Sequence, residues 1–411
     1  MSVLMMVGPF HCARCYAISL ALVLCFVALS SLAQQRPAGQ PRPVAAGVRA
    51  GYVGDGSCAP CHQSIAGTYE RTAHHRTSRL ADKNSILGDF SEGANILKTR
   101  DRDLFFKMEA KGGSFYQTAF FFQPPDQMKT SERFALAIGS GGKGQTYLYW
   151  KADRLFELPV SYWTTIRSWV NSPGYTDGTA DFKRPIPPRC LECHAGYVQS
   201  LPGPAPQNRY NRTGFALGIS CERCHGPGAQ HVEEQRSHAP PSPSHGILNP
   251  VTLSRERQIE VCAQCHGGIG EGITSAFTYS AGKPLADFIK LHPPDPDAKV
   301  DVHGNQVALL ERSRCYQSSQ NMTCTTCHDL HAPERAASTY SEKCLACHKP
   351  ENCGLFPEAG AGLARNCVEC HMPVQDSDLI TSTVDGQEIK DRIRNHWIKI
   401  YPQSSPPKAD R

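Results

Sequence analysis

Cys221-Glu222-Arg223-Cys224-His225 decides how this chain is read. Two thiols three positions apart can each bond one of the two vinyl groups of a single porphyrin. The adjoining histidine is then placed to ligate the iron from one face. This is the c-type haem attachment spacing. It recurs at Cys58-Cys61-His62, Cys190-Cys193-His194, Cys262-Cys265-His266, Cys324-Cys327-His328, Cys344-Cys347-His348 and Cys367-Cys370-His371, seven copies in 411 residues. Multiplied residue frequencies give roughly 0.04 such matches by chance. The expectation is seven covalently attached haems c. Their thioether bonds come from those fourteen cysteines, and the proximal iron ligands are His62, His194, His225, His266, His328, His348 and His371.

Zinc ribbons also use Cys-x-x-Cys knuckles, but two knuckles share one metal and no histidine is required directly after the second cysteine. Seven is odd, and every copy carries the histidine. A redox dithiol normally occurs once. Haem attachment is the reading that explains all seven.

A low-spin electron-transfer haem takes a second axial ligand. Outside the motifs and the leader stand nine histidines: His74, His75, His231, His238, His245, His292, His303, His331 and His396. Nine candidates for seven irons allow every haem to be bis-histidine. Local context favours His74, His231, His303, His331 and His396 as distal ligands. His331 lies three residues after His328, too close to wrap round its own haem, so it is expected to serve a neighbour. His231 follows Gly226-Pro227-Gly228, a turn that lets the chain reverse. Which histidine meets which haem stays open at this point. Two cysteines, Cys315 and Cys353, are left over, and in an oxidising compartment they are expected to pair.

Export is read from the N-terminus. His11 and Arg14 precede an apolar run from Tyr16 to Leu32, and Ser31-Leu32-Ala33 offers a small-x-small cleavage site. An uncleaved membrane anchor is the competing reading of residues 1–33. The formal charge of +5 becomes about +4 without Arg14. Seven oxidised bis-histidine haems at about −1 each bring the holoprotein to roughly −3. The mild basicity of the bare chain is therefore no argument for nucleic acid, and no nucleic-acid motif is present.

The chain divides into a leader (1–33), a Pro/Gly-rich linker (34–50), a first haem segment (51–85), a β-rich insert (86–165), a cluster of haems 2 to 7 (166–375) and a tail carrying His396 (376–411). Five stretches of the insert alternate aromatic and β-branched residues, from Asp103–Met108 to Leu155–Val160, with glycine clusters between them. From Cys190 onward the motifs stand too close together for separate domains. Stacked haems then supply apolar core that side chains otherwise provide. The expected fold is mainly α and irregular, organised around stacked haems, with a small antiparallel β insert between haem 1 and haem 2.

Tyr52 to His62 with Thr72-Ala73-His74, Ile219 to Gly228 with His231, Cys324 to His331 and Cys367 to Pro373 resemble cytochrome c-554-type multihaem proteins. The resemblance covers most of the chain after the leader. It implies a mostly helical, loop-rich fold with closely packed haem pairs, largely bis-histidine ligation, and kinship with hydroxylamine oxidoreductase and multihaem nitrite reductases. The chain departs from these families by lacking a Cys-x-x-Cys-Lys motif and by carrying seven motifs where cytochrome c-554 has four.

The function expected is electron relay in the periplasm or another exported location, between a quinol-oxidising membrane complex or other cytochromes and a periplasmic or outer-surface acceptor. No catalytic residue is assigned. The alternative is a multihaem oxidoreductase of a small nitrogen or sulfur compound with one open-coordination haem. Arg71, Arg76, Tyr162 and Arg167 are its candidate site residues.

Overall fold

The computed structural model describes residues 49–291, apart from 238, 239, 241, 244 and 269, and residues 305–401. The leader, most of the linker, His238, His292, His303 and the Pro402–Arg411 end lie outside the described residues.

The order of elements starts with two short helices around the first motif, Asp55–Cys58 and Gln63–Tyr69. Ten strands follow: β1 (Ser78–Leu80), β2 (Ile96–Lys98), β3 (Leu104–Lys111), β4 (Ser114–Phe121), β5 (Met128–Arg133), β6 (Leu136–Ile138), β7 (Gly144–Lys151), β8 (Arg154–Glu157), β9 (Val160–Trp163) and β10 (Ser168–Asn171). They build two antiparallel sheets. One is four-stranded in the order β2-β3-β4-β5. The other is six-stranded along β1-β6-β7-β9-β10, with β8 beside β7.

Side-chain alternation explains their packing. On β6 and β7, Ala137, Tyr147 and Tyr149 point one way, toward Leu97, Phe106 and Met108 of the four-stranded sheet. Leu136, Ile138 and Leu148 point the other way and pack with Ile186, Leu191, Ala195 and Val198, which flank the second motif. The six-stranded sheet is thus buried on both faces. One face closes an aromatic core with Phe134 and Tyr147 stacked 4.4 Å apart. The other face is a wall for the haem-bearing half.

The fold as a whole is not the mainly α and irregular one expected. Strand takes 28% of the structure and helix 26%. The motif helices are short, from the four residues of Glu222–His225 to the twelve of Arg255–His266. Strands also appear between motifs. β11 (Ala195–Ser200) and β12 (Tyr210–Leu217) form a hairpin from motif 2 to motif 3, and β13 (Glu271–Gly272) pairs with β14 (Ile289–Lys290). The expected tail contains a hairpin, β15 (Val374–Val384) with β16 (Gln387–Arg394). It docks beside β10, where Asn171 Nδ2 donates to Thr383 Oγ1 at 2.6 Å and Lys143 lies 3.5 Å from Asp391. The physical reason is local. A haem motif needs only a turn or so of helix to set its two thiols and its histidine. The chain between motifs is free to satisfy its backbone groups in hairpins. No helix among the described residues is long and apolar enough to cross a membrane.

Candidate haem-binding cavity

All fourteen motif cysteines and all seven motif histidines line one continuous cavity of about 3780 Å³. Close packing leaves few voids larger than a water molecule in a protein interior. A single-ligand pocket holds roughly 300–1,000 Å³. The space is therefore that of several large groups together, and its lining is the donor set that haem attachment requires.

Histidine geometry gives a sharper test. Four pairs of rings face each other across the cavity. His62 and His231 have ring centres 6.3 Å apart, His225 and His331 6.0 Å, His328 and His396 6.2 Å, and His74 and His266 6.0 Å. Each pair joins one motif histidine to one distant histidine. Two imidazoles bonded to opposite sides of one metal through nitrogens at about 2.0 Å have ring centres about 6 Å apart. The spacing suits one iron between each pair, so these residues fit the group.

One ring nitrogen is anchored from behind in several of the histidines that line the cavity. Nδ1 of His225 donates to the Leu248 carbonyl at 2.9 Å, and Nδ1 of His231 to the His245 carbonyl at 2.7 Å. Nδ1 of His371 donates to the Lys399 carbonyl at 2.9 Å, and Nδ1 of His396 to the Arg394 carbonyl at 3.3 Å. Nδ1 of His194 bonds Thr77 Oγ1 at 3.0 Å. Such a bond fixes tautomer and ring orientation and leaves Nε2 to bind metal. Burial holds His74, His225 and His328 below the ordinary imidazole value, and pushes His266 and His396 down to about 4. The neutral ring is the form whose lone pair is available.

The motifs also touch one another. The sulfurs of Cys58 and Cys221, of Cys193 and Cys265, and of Cys262 and Cys324 lie close enough to act on one another electrostatically. They connect motif 1 with 3, 2 with 4, and 4 with 5. Glu222, inside motif 3, accepts from the backbone amides of Val53, Gly54 and Gly228 at 2.8–3.2 Å and locks the first segment onto the third.

Among the expected distal histidines, the structure sets His74, His231, His331 and His396 opposite motif histidines. His303 lies outside the described residues. His75 turns away, edge-on to Tyr69 with Nδ1 4.0 Å from Asp55. Cys315 and Cys353 form no disulfide, contrary to expectation. Cys315 sits within electrostatic range of Cys327 and Cys344, whereas Cys353 sits near Cys367 and Cys370. The two spare thiols thus stand beside different motifs. Arg71, Arg76, Tyr162 and Arg167 do not line the cavity. Tyr162 is instead packed on Trp169 in the β core, 5.1 Å between rings. The carbonyls behind the histidines carry no sequence signal, since any residue supplies one.

Residues 166–226 match the family model described as cytochrome c554 and c-prime. The C-type polyheme cytochrome OmcC of Geobacter sulfurreducens is 27% identical over 176 residues, 36% of this chain and 21% of that protein. The multiheme cytochrome MtrA of Shewanella baltica is 25% identical over 171 residues, 39% of this chain and 38% of that protein. The aligned regions thus span well under half of these curated relatives. The crystal structure of the outer cell wall cytochrome OcwA superimposes with a TM-score of 0.52 at 18% identity, over 85% of this chain and 80% of that one, a likeness of fold. Haem motifs, cavity, facing histidines and these relatives converge: the chain is a multihaem c-type cytochrome with covalently bound haem c.

Proposed function

We propose that this chain is an exported electron carrier holding seven haems, one at each motif. Four are bis-histidine: His62 with His231, His225 with His331, His266 with His74, and His328 with His396. The haem groups supply reversible one-electron chemistry when bound. The protein's own residues attach them, orient the imidazoles through backbone carbonyls and keep them close enough to exchange electrons.

The observation that carries this reading is the set of four facing histidine pairs across a cavity that every motif lines. Saturated irons favour electron transfer over substrate binding. The thiol contacts between motifs favour a continuous relay over isolated centres. Electrons would pass between a membrane quinol-oxidising complex or another cytochrome and an acceptor in the periplasm or at the outer surface. The leader pattern of residues 1–33 and the family of the relatives support export.

Intact mass is the first test, with seven haem increments expected on a chain beginning near Gln34. Five or fewer in fully matured protein would end the seven-haem assignment. Electron paramagnetic resonance of the oxidised protein is the second, with low-spin ferric signals expected to dominate. A substantial high-spin signal would favour chemistry on a small molecule at an open iron.

A further inference from the structure

One buried carboxylate on the cavity wall, paired with the half-buried Arg184, lies outside every haem motif. Glu157 ends β8 and is 9% exposed. It lines the cavity together with Thr146, Leu148, Arg184 and Ile186, next to Cys190. Its Oε1 accepts from Thr146 Oγ1 at 3.0 Å, and its Oε2 lies 3.1 Å from Arg184 Nη1. The backbone ties the group to motif 2. Glu157 N donates to the Arg184 carbonyl at 3.0 Å and Ile186 N to the Leu155 carbonyl at 3.1 Å, and four residues later the chain reaches Cys190. The carboxylate is close enough to Cys190 that its charge raises that thiol's affinity for a proton.

We propose that Glu157 is a redox-linked proton acceptor for the haem carried by Cys190 and Cys193, taking up one proton from solvent when one electron arrives there. The inference rests on the electron-carrier reading above. The balance is one electron from a neighbouring haem and one proton from water onto a carboxylate oxygen, with no bond to carbon or nitrogen made or broken.

The surroundings make the proton affinity of Glu157 responsive. Burial raises it, while Arg184 and the Thr146 hydroxyl lower it. Arg184 does not neutralise the carboxylate alone. Its Nη1 also donates to the Pro173 carbonyl at 2.8 Å, and its guanidinium lies 3.7 Å from the centre of the Tyr175 ring. The Tyr175 hydroxyl in turn donates to the Glu157 carbonyl at 3.0 Å. Behind Thr146 stand the hydroxyls of Ser161 at 2.9 Å and Ser172 at 3.3 Å. Arg189 is the charged group on the motif-2 side, where the sulfur of Cys190 no longer titrates once it is bonded to haem, and Asp181 acts on Tyr175 from the loop. In this weakly screened wall an added negative charge nearby favours protonation of the carboxylate.

The test uses the full haem-loaded protein, titrated with reductant and followed by haem absorbance from pH 5 to pH 9. One component should lose potential as the pH rises, with a slope no steeper than about 59 mV per pH unit for one proton per electron. Glu157→Gln should abolish the slope of that component alone and leave it at the higher, protonated-state potential. Thr146→Val, which keeps the carboxyl but removes a donor to its ionised form, should move the sloping window to higher pH. Haem count by mass should be unchanged in both variants. An unchanged slope in a fully loaded Glu157→Gln protein overturns the proposal and assigns the proton to the haem propionates. Absence of a haem at motif 2 in the native protein would instead overturn the carrier reading beneath it.

Discussion

At the scale of single residues, the facing histidines make distinct predictions. The ring that faces each paired motif histidine comes from a remote part of the chain. His331 is three residues from His328, yet it faces His225, with ring planes 15° apart. His331→Ala should therefore free the iron at Cys221 and Cys224, with covalent attachment intact, because the thioether bonds do not involve the distal side. One haem should turn high spin in the resonance spectrum. Ring orientation adds a second signature. The planes are 21° apart for His62 and His231 and 23° for His328 and His396, but 85° for His74 and His266. Crossed imidazole planes leave two iron d orbitals nearly degenerate, and parallel planes split them. Among the four haems with facing histidine pairs, one strongly axial low-spin signal should accompany three rhombic ones, and His74→Ala should delete the axial signal. A spectrum in which His74→Ala removes a rhombic signal would refute this pairing. The buried carboxyl makes a stability prediction too. Burial raises Glu157 above its ordinary 4.5 in the folded state. The folded chain therefore holds this proton more tightly than the unfolded one. The stability so contributed is full below the unfolded value and is lost as pH rises through the raised folded value. Glu157→Gln should flatten that part of the denaturation midpoint's pH dependence.

At the scale of elements, short helices are placed by caps and crossings. The helix Arg255–His266 carries motif 4 and begins at Ser254, whose side chain accepts from Arg257 N at 3.3 Å. Ser254→Ala should cost about 1 kcal/mol, measured by denaturation of the haem-loaded protein. A sharper constraint sits where β12 ends. Gly218 has φ +71°, its amide donates to Ser78 Oγ at 2.9 Å, and the next amide, Ile219 N, donates to the His74 carbonyl at 2.9 Å. A Cβ at Gly218 would collide with the carbonyl oxygen of His75. Gly218→Ala should therefore destabilise the protein by at least about 1 kcal/mol and weaken the axial signal assigned to His74. Loss of stability without any change in that signal would separate the crossing from the ligand. This close approach was not legible in the sequence, where Gly218 is one of 34 glycines.

At the scale of the whole molecule, two halves are held together by different means. The β unit has its own core, in which Phe106, Met108, Phe134, Tyr147, Leu158 and Val160 are fully or almost fully buried. The motif-bearing half surrounds a cavity of about 3780 Å³ that its side chains do not fill. Apolar groups left without partners lose their packing energy, and the side-chain cluster of this half around Ala263, Tyr279, Leu285 and Ile289 is small, so haem is expected to supply much of its core. Chain made without haem attachment should keep slow amide exchange in β3, β4, β6 and β7 and lose it across residues 190–371. Uniform protection in the haem-free chain would show that the motif half packs by other means.

The sequence by itself determined the chemistry: seven attachment motifs, their fourteen thiols and seven histidines, because covalent attachment is a contact between residues three and four positions apart. It also indicated strand in the insert, where β3, β4, β6 and β7 fall on aromatic and β-branched runs. Strands with weaker signals were missed. β5 (Met-Lys-Thr-Ser-Glu-Arg) and β16 (Gln-Glu-Ile-Lys-Asp-Arg-Ile-Arg) are mostly polar and gain their order by pairing with β4 and β15. Which distant histidine faces His62, His225, His266 and His328 was decided only by the tertiary structure. His74 and His266 are 192 positions apart and His62 and His231 are 169 apart. No local pattern encodes a meeting across such separations. It arises when the β wall, the Glu222 lock and the hairpin crossing at Gly218 fix where each short motif helix stands.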